Sequence, residues 1–252
     1  MNDLEPLPPA ALALLFPVCA RALLLPDAAP AAIRTAALDV LTPHAQPGVP
    51  GLPRAAAARL MLTVIATGAP PQVAAARPLL MHVALGADEE NDGGAAVTTA
   101  LRAGLSFEFR AVRAAALAAL LAAPPVLDPA APEGTTLLFL ARHDPDEDNR
   151  ATAEDVWKAY GLDDAVAETI PPATILPYLS HDAAAVRQMA ASGAGAGHAQ
   201  ASGLGVDTRP QLHAQHAGIV IATAGVNAGG RRHECWELCG AFDVHEGADV
   251  AA

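Results

Sequence analysis

Four residues near the C-terminus have side chains that bind zinc. His233, Cys235, Cys239 and His245 follow the order H-x-C-x3-C-x5-H, and a structural zinc site takes four such ligands in tetrahedral geometry. The local spacing is sterically possible. However, the cluster stands alone in a low-complexity segment and lacks the usual separation between two ligand pairs. We therefore predict no metal site here, and a zinc-binding protein is the least favoured alternative.

A second set of candidate ligands consists of Asp144, Asp146 and Asp148, which alternate as the first three ligands of a calcium loop do. Asn149 stands where that loop requires glycine, and its twelfth position is Asp155 rather than Glu. Acidic residues here instead precede a predicted helix, whose N-terminal partial positive charge they complement. We predict no calcium site.

Motifs of catalysis are also missing from the sequence. It contains neither the Gly-x-Ser-x-Gly nucleophile elbow nor the phosphate-binding Gly-x4-Gly-Lys. The glycine-rich stretch near Gly193 follows no strand pattern, so it fails the context required for dinucleotide binding. The sequence predicts a protein that is not an enzyme and has no cofactor and no small-molecule substrate.

Composition points to many short helices. The chain has 252 residues, of which 52% are hydrophobic but only 4% aromatic, with 22 prolines and 20 glycines. Alanine and leucine favour helix, whereas proline and glycine interrupt it. The net charge of −12 argues against general or sequence-specific binding to nucleic acid. Three cysteines, no signal peptide and no bilayer-length apolar run predict a cytoplasmic protein that does not enter membranes.

The composition changes sharply at Ser192. The segment from Ser192 to Ala252 holds 11 of the 20 glycines and 5 of the 9 histidines but only one proline. We predict that residues 192–252 form a Gly/His-rich, low-complexity tail that is disordered or mistranslated. Residues 1–191 are predicted to form the folded domain.

Within the folded domain, helix patterns occur in pairs that repeat. First helices of successive pairs are predicted near Arg54, Gly94, Glu133 and Pro172, at steps of 40, 39 and 39 residues. A period near 40 built from two helices is typical of an α-solenoid. We therefore predict an all-α fold of about five antiparallel helix pairs, the last of them truncated.

The second helices share one sequence register. Aligned on Ile33-Arg34, the equivalent dipeptides are Val73-Ala74, Val112-Arg113, Asn149-Arg150 and Val186-Arg187, and four of the five carry arginine. The first residue of each dipeptide is expected on the inner face of its helix. Each arginine is expected to pair with a preceding acid: Glu108 with Arg113, Asp148 with Arg150, and Asp182 with Arg187.

This pattern of Val-Arg and alanines at steps of 37 to 40 residues resembles HEAT repeats. From Ala100 to Ala191 the chain resembles one family more closely, the very long ribosome-associated HEAT scaffold of the general amino-acid control pathway. That scaffold is the translational activator of the starvation-responsive initiation-factor-2-alpha kinase. The resemblance rests on an Arg-x-x-Ala-x-Asp-x-Trp helix ending in Gly-Leu-Asp, and on a later segment around Val186 and Arg187: Arg150, Ala153, Asp155, Trp157, Gly161, Leu162, Asp163, His181, Ala184, Ala185, Gln188.

The resemblance implies a scaffold segment that associates with the ribosome, an ABC-type ATPase and a protein kinase. Because members of that family are far longer than this chain, it also implies a fragment or a truncated product. A generic HEAT-repeat adaptor for transport or chromatin is the alternative, and it would lack the signature around Trp157 and Gly161.

Overall fold

The computed structural model describes residues 6–24, 30–87, 93–122 and 132–201. Regular structure in these ranges is helical throughout, with no strand. A 3₁₀ turn, Gly104–Ser106, separates the fifth and sixth helices. The helices are α1 (Pro9–Leu24), α2 (Ala31–Ala45), α3 (Arg54–Thr67), α4 (Pro70–Leu85), α5 (Gly93–Ala103), α6 (Arg110–Ala122), α7 (Pro132–Ala141), α8 (Glu147–Ala159), α9 (Asp164–Thr169), α10 (Pro172–Leu179) and α11 (Ala184–Ala201).

Ten of these described helices pack as five antiparallel pairs, numbered here repeats 1 to 5: α1/α2, α3/α4, α5/α6, α7/α8 and α10/α11. The first helices form one row in the order α1, α3, α5, α7, α10, in which each contacts the next. The helices α2, α4, α6 and α8 form a second row in the same way. Such stacking of helix pairs defines an α-solenoid, so the predicted all-α solenoid is confirmed.

The core between the rows is aliphatic and contains many small side chains. Close approach of two helices requires small residues where they meet, and several alanines are wholly buried at these contacts. The fully covered alanines are Ala45, Ala57, Ala58, Ala76, Ala84, Ala116, Ala119, Ala153 and Ala190. A core of this kind explains how the chain folds with so few aromatic residues.

Prolines begin several helices but also occur inside them. Proline stands in the first turn of α4 and α10, where its missing N–H costs nothing. Pro17, Pro43, Pro78 and Pro177 instead lie within helices. Three of these four are exposed, so the carbonyl that each leaves unbonded can be hydrated.

The last described helix runs past the predicted domain boundary. Helix α11 continues to Ala201, ten residues beyond Ala191, where the folded domain was expected to end. Alanines interspersed with Gly193, Gly195 and Gly197 extend a helix that is already nucleated, and this outweighs the cost of the glycines. The remainder of the predicted tail, residues 202–252, lies outside the described residues.

The cap at the end of α8 explains why the sequence there reads Gly-Leu-Asp. Gly161 has φ of +67°, its N–H donates to Lys158 O at 2.9 Å, and the Leu162 N–H donates to Trp157 O at 3.1 Å. These two bonds form a Schellman cap. The side chain of Asp163 then accepts from Val166 N at 2.9 Å and so caps α9.

Gly161→Ala should lower the free energy of unfolding by about 1 kcal/mol, because a side chain is strained at positive φ. Gly195→Ala is the matched control. An added Cβ at Gly195 in α11 meets no atom within 4 Å, so alanine there should stabilise by about 0.5–1 kcal/mol. Urea unfolding of both variants measures the difference, and equal effects would contradict the cap.

Candidate interaction surface at the inter-helix turns

Arginine side chains close the turn between the two helices of repeats 3, 4 and 5. In Arg113, Arg150 and Arg187 the Nη1 group donates to two backbone carbonyls, those six and five residues earlier in the chain. The same bond pattern thus recurs three times in the described residues, at distances from 2.6 to 3.2 Å. The acceptors are Phe107 and Glu108, Asp144 and Pro145, and His181 and Asp182.

This arrangement has a direct electrostatic cause. Carbonyls in a tight turn point away from any helical partner and must be satisfied by side chains or water. A guanidinium fits them because it has several N–H donors in a fixed plane and a permanent positive charge. We use the name turn edge for these three turns together with the first residues of the helices that follow them. The turn edge consists of residues 104–110, 142–148 and 180–184.

Arg113 differs from the other two arginines because it also forms a buried ion pair with the next repeat. Its Nε and Nη2 donate to Asp144 Oδ2 and Oδ1 at 2.5 and 3.0 Å, the bidentate geometry that suits a carboxylate. The side chains are 3% and 0% exposed. The pair therefore ties α6 to the turn that precedes α8.

The carboxylate of Asp144 has a full set of hydrogen-bond donors. Besides Arg113, Asp146 N donates to its Oδ1 at 2.8 Å and Asn149 Nδ2 donates to its Oδ2 at 3.2 Å. A carboxylate offers about four acceptor positions, and all are used. Asp146 in turn caps α8 by accepting from Asn149 N, as expected of acids at a helix start.

The three alternating aspartates therefore serve the fold. Asp144 binds Arg113, Asp146 caps α8, and Asp148 reaches Arg110 at 2.9 Å. Within the described residues no group of His, Cys, Asp or Glu is arranged to hold a metal ion. The cluster of His233, Cys235, Cys239 and His245 lies outside them.

The acid partners expected for the arginines differ from those observed. Arg113 was expected to pair with Glu108 but pairs with Asp144, since only the latter is buried beside it. Arg150 and Arg187 donate to backbone carbonyls. Glu108 instead accepts from Ala185 N at 3.2 Å, which joins the turn of repeat 3 to the start of α11.

The register dipeptides are not equivalent in their burial. Val112 and Val186 are 0% exposed, whereas Ile33 is 51% exposed. The expectation of an inner face is therefore wrong for Ile33, and Val73 in repeat 2 is only half-buried. Arg34 is half-buried, and the turn before it lies outside the described residues.

Trp157 of α8 is buried, with its ring 6.5 Å from that of Phe139 on α7. It is 1% exposed, its Nε1 donates to Asp163 O at 3.3 Å, and the Arg142 guanidinium lies 4.9 Å from its ring centre. Arg142 is held there by Glu154 at 2.7 Å and Asp164 at 3.0 Å. The indole is thus a packing element with a cation over its face, unavailable to a partner.

Two titratable groups near this indole are shifted toward their neutral forms. Burial, helped by the adjacent Arg142 charge, lowers the pKa of His143, whose ring meets Phe139 edge-on at 5.0 Å. Burial also raises the pKa of Tyr160, although the positive charge of Arg102 opposes the shift. Both side chains act as packing groups at neutral pH.

The exposed layer of the turn edge carries an aromatic residue and charges. Phe109 is 55% exposed, and Arg110, whose side chain is 61% exposed, bridges Asp146 and Asp148 at 2.8 and 2.9 Å. On the outer side of α8, Glu147 and Asp155 are exposed. The exposed charges of this surface are thus acidic side chains with single arginines among them.

Removal of the buried carboxylate tests the inter-repeat pair. Asp144→Ala should lower the free energy of unfolding by about 3–5 kcal/mol, because it leaves the Arg113 charge buried and unpaired. Arg110→Ala breaks exposed pairs and should cost only about 0–1 kcal/mol. Denaturant unfolding checks both.

The double variant Arg113→Leu, Asp144→Leu separates loss of the pair from loss of packing. It should be more stable than Asp144→Ala, because no unpaired charge remains in the core. Arg113→Leu also removes the bonds to Phe107 O and Glu108 O, so a double variant less stable than Asp144→Ala would show that the unpaired Arg113 charge is not the main cost of losing Asp144.

Comparisons with known proteins agree with these features. Residues 130–205 match the family model described as "Stalled ribosome sensor GCN1, HEAT repeats". No curated protein and no solved structure matches the sequence. The match covers repeats 4 and 5. It includes Asp144, the turns to which Arg150 and Arg187 donate hydrogen bonds, and the segment from Trp157 to Asp163. Over residues 130–205 the chain is therefore similar to the HEAT repeats of GCN1, and its described helices form an α-solenoid consistent with such repeats.

Proposed function

We propose that this protein is a non-enzymatic, cytoplasmic scaffold that associates with ribosomes. The observation that carries the proposal is the match of residues 130–205 to the HEAT repeats of a stalled ribosome sensor. The described residues include no helix long and apolar enough to cross a membrane.

The charges of the matched segment favour a protein partner on the ribosome over its RNA. Glu147 and Asp155 lie eight residues apart on α8 and are both exposed, so they share one side of the helix. Carboxylates there repel phosphate and attract the lysines and arginines of ribosomal proteins. The exposed side of α8 is the contact that we propose.

Charge reversal on α8 tests this contact. In sucrose gradients of cell lysate the tagged full chain should sediment with ribosomes, and Glu147→Lys, Asp155→Lys should show a several-fold loss from the ribosomal fractions. Thr35→Lys, Asp39→Lys is the matched control, since it places two lysines on the exposed side of α2, outside the matched segment. Equal loss in both variants, or no sedimentation of the full chain with ribosomes, would refute the contact.

We further propose that ribosome association serves to relay amino-acid starvation to the kinase that phosphorylates initiation factor 2-alpha, with an ABC-type ATPase as a second partner. Depletion of the protein should lower that phosphorylation in starved cells. The wild-type chain and the Thr35→Lys, Asp39→Lys control should restore it, and Glu147→Lys, Asp155→Lys should not. Immunoblotting for the phosphorylated factor measures the effect; rescue by all three chains would contradict the relay through α8.

A further inference from the structure

One hydrogen bond links two turns that are not consecutive in the stack. The Oε2 atom of Glu108, in the turn of repeat 3, accepts from Ala185 N, in the first turn of α11, at 3.2 Å and across 77 residues of sequence. Arg110 and Arg113 of repeat 3 bind aspartates of repeat 4. Repeat 3 is therefore bonded at the turn edge both to the next repeat and to the one after it.

The start of α11 uses this bond in place of a local cap. In repeat 4 the side chain of Asp146 caps α8 by accepting from a first-turn N–H. The register equivalent in repeat 5 is Ala183, which has no acceptor on its side chain, and His181 Nδ1 accepts from the N–H of Ala183 itself. N–H groups of a first helical turn lack intrahelical partners and favour a negatively charged acceptor. Glu108 supplies that acceptor to Ala185 from two repeats away.

The segment that leads into repeat 5 is held by few buried side chains. Arg142 Nη2 lies 3.0 Å from Asp164 Oδ1 and so fixes the start of α9, but none of residues 165–171 is buried. In α10 the one buried residue is Ile175. Segments with little buried apolar surface have low local stability, and a hinge needs only a few residues that absorb backbone rotation. We name residues 165–171 the repeat 5 connector.

Repeat 5 otherwise rests on α7. Both α10 and α11 contact that helix, and Thr136 Oγ1 donates to Thr174 Oγ1 at 3.2 Å. α11 lies close to α7 at Gly193, where an added Cβ would be 2.9 Å from Phe139 Cε1. Ala185 and Gly193 are eight residues apart, about 12 Å along the helix. α11 is thus held at two separate points, by the turn of repeat 3 at its start and by α7 further on.

We propose that repeat 5 moves as one body about the repeat 5 connector, and that Glu108 is the latch that holds it closed against α7. Because Glu108 is exposed, water competes with the Ala185 N–H for its carboxylate, and the latch can open without unfolding a helix. Opening carries α11 away from Phe139, which is 7% exposed in the closed form, and uncovers an apolar side of α7. This motion is independent of the ribosome association proposed above.

Distances between nitroxide labels test the latch. The labels are attached at three exposed residues, after cysteine substitution in a full chain whose three native cysteines are replaced: Ala151 on α8, Leu176 on α10 and Gln188 on α11. Double electron–electron resonance should show a longer component, several-fold more populated in Glu108→Ala than in the wild type, for both distances from α8. The distance between the labels on α10 and α11 should stay the same, because repeat 5 moves as a unit.

Two further substitutions at the turn edge are the matched controls. Glu108→Gln should behave as the wild type, because its side-chain oxygen still accepts from the Ala185 N–H. Glu147→Ala removes another exposed acid of the turn edge and should change no distance.

A substitution on α11 opens repeat 5 by a second route. Gly193→Leu places a side chain against Phe139 and should lengthen the two distances from α8 although Glu108 is intact. Gly195→Leu is its control, because an added Cβ at Gly195 meets no atom within 4 Å.

Three results would overturn the proposal. Distances from α8 that are equal in Glu108→Ala and the wild type would show that Glu108 is no latch. A change confined to the label on α11 would show that only the start of that helix frays. A longer distance between α10 and α11 would show that repeat 5 comes apart rather than moving as one body.

Discussion

The buried ion pair between Arg113 and Asp144 constrains how repeats 3 and 4 meet. Both side chains are out of water, so neither can be left unpaired without a large desolvation cost. The carboxylate of Asp144 must therefore lie within hydrogen-bond distance of the Arg113 guanidinium. Because Asp144 also receives the Asp146 N–H, this requirement extends to the cap of α8 and fixes where that helix begins.

A polar constraint of this kind matters in a core made of alanine and leucine. Small aliphatic side chains allow neighbouring helices to slide with little loss of packing, whereas a bidentate pair is satisfied in one position only. The bonds from Arg113, Arg150 and Arg187 to the turn carbonyls constrain repeats 3, 4 and 5 in the same way. Packing supplies the stability of the stack, and the hydrogen-bonded arginines supply its register.

The sequence predicted the helix pairs well because their signals are local. The spacing of prolines and glycines, with a sequence period near 40 residues, predicted the stacked helix pairs. The Val-Arg register indicated which arginines recur from repeat to repeat. The partners of those arginines were not predictable, because Asp144 reaches Arg113 through the stacking of two repeats, a contact 31 residues away in the chain. The exposure of Ile33 was also not predictable, because the register predicts on which face of its helix a residue lies but not which neighbouring helix covers that face. Helix α9 was missed because six residues leave too short a periodic pattern.

The same use of arginine decides what the outer surface presents. Arg54 donates to Ala45 O, Gln46 O and Val49 O, as Arg113, Arg150 and Arg187 do to their own turns, so much of the positive charge is bound to backbone carbonyls. Carboxylates such as Glu147 and Asp155 remain at the exposed side of α8. The exposed carboxylates of α8 repel phosphate, and arginines whose N–H donors are already used offer it few hydrogen bonds. A partner that binds this side of α8 must therefore bring basic groups of its own.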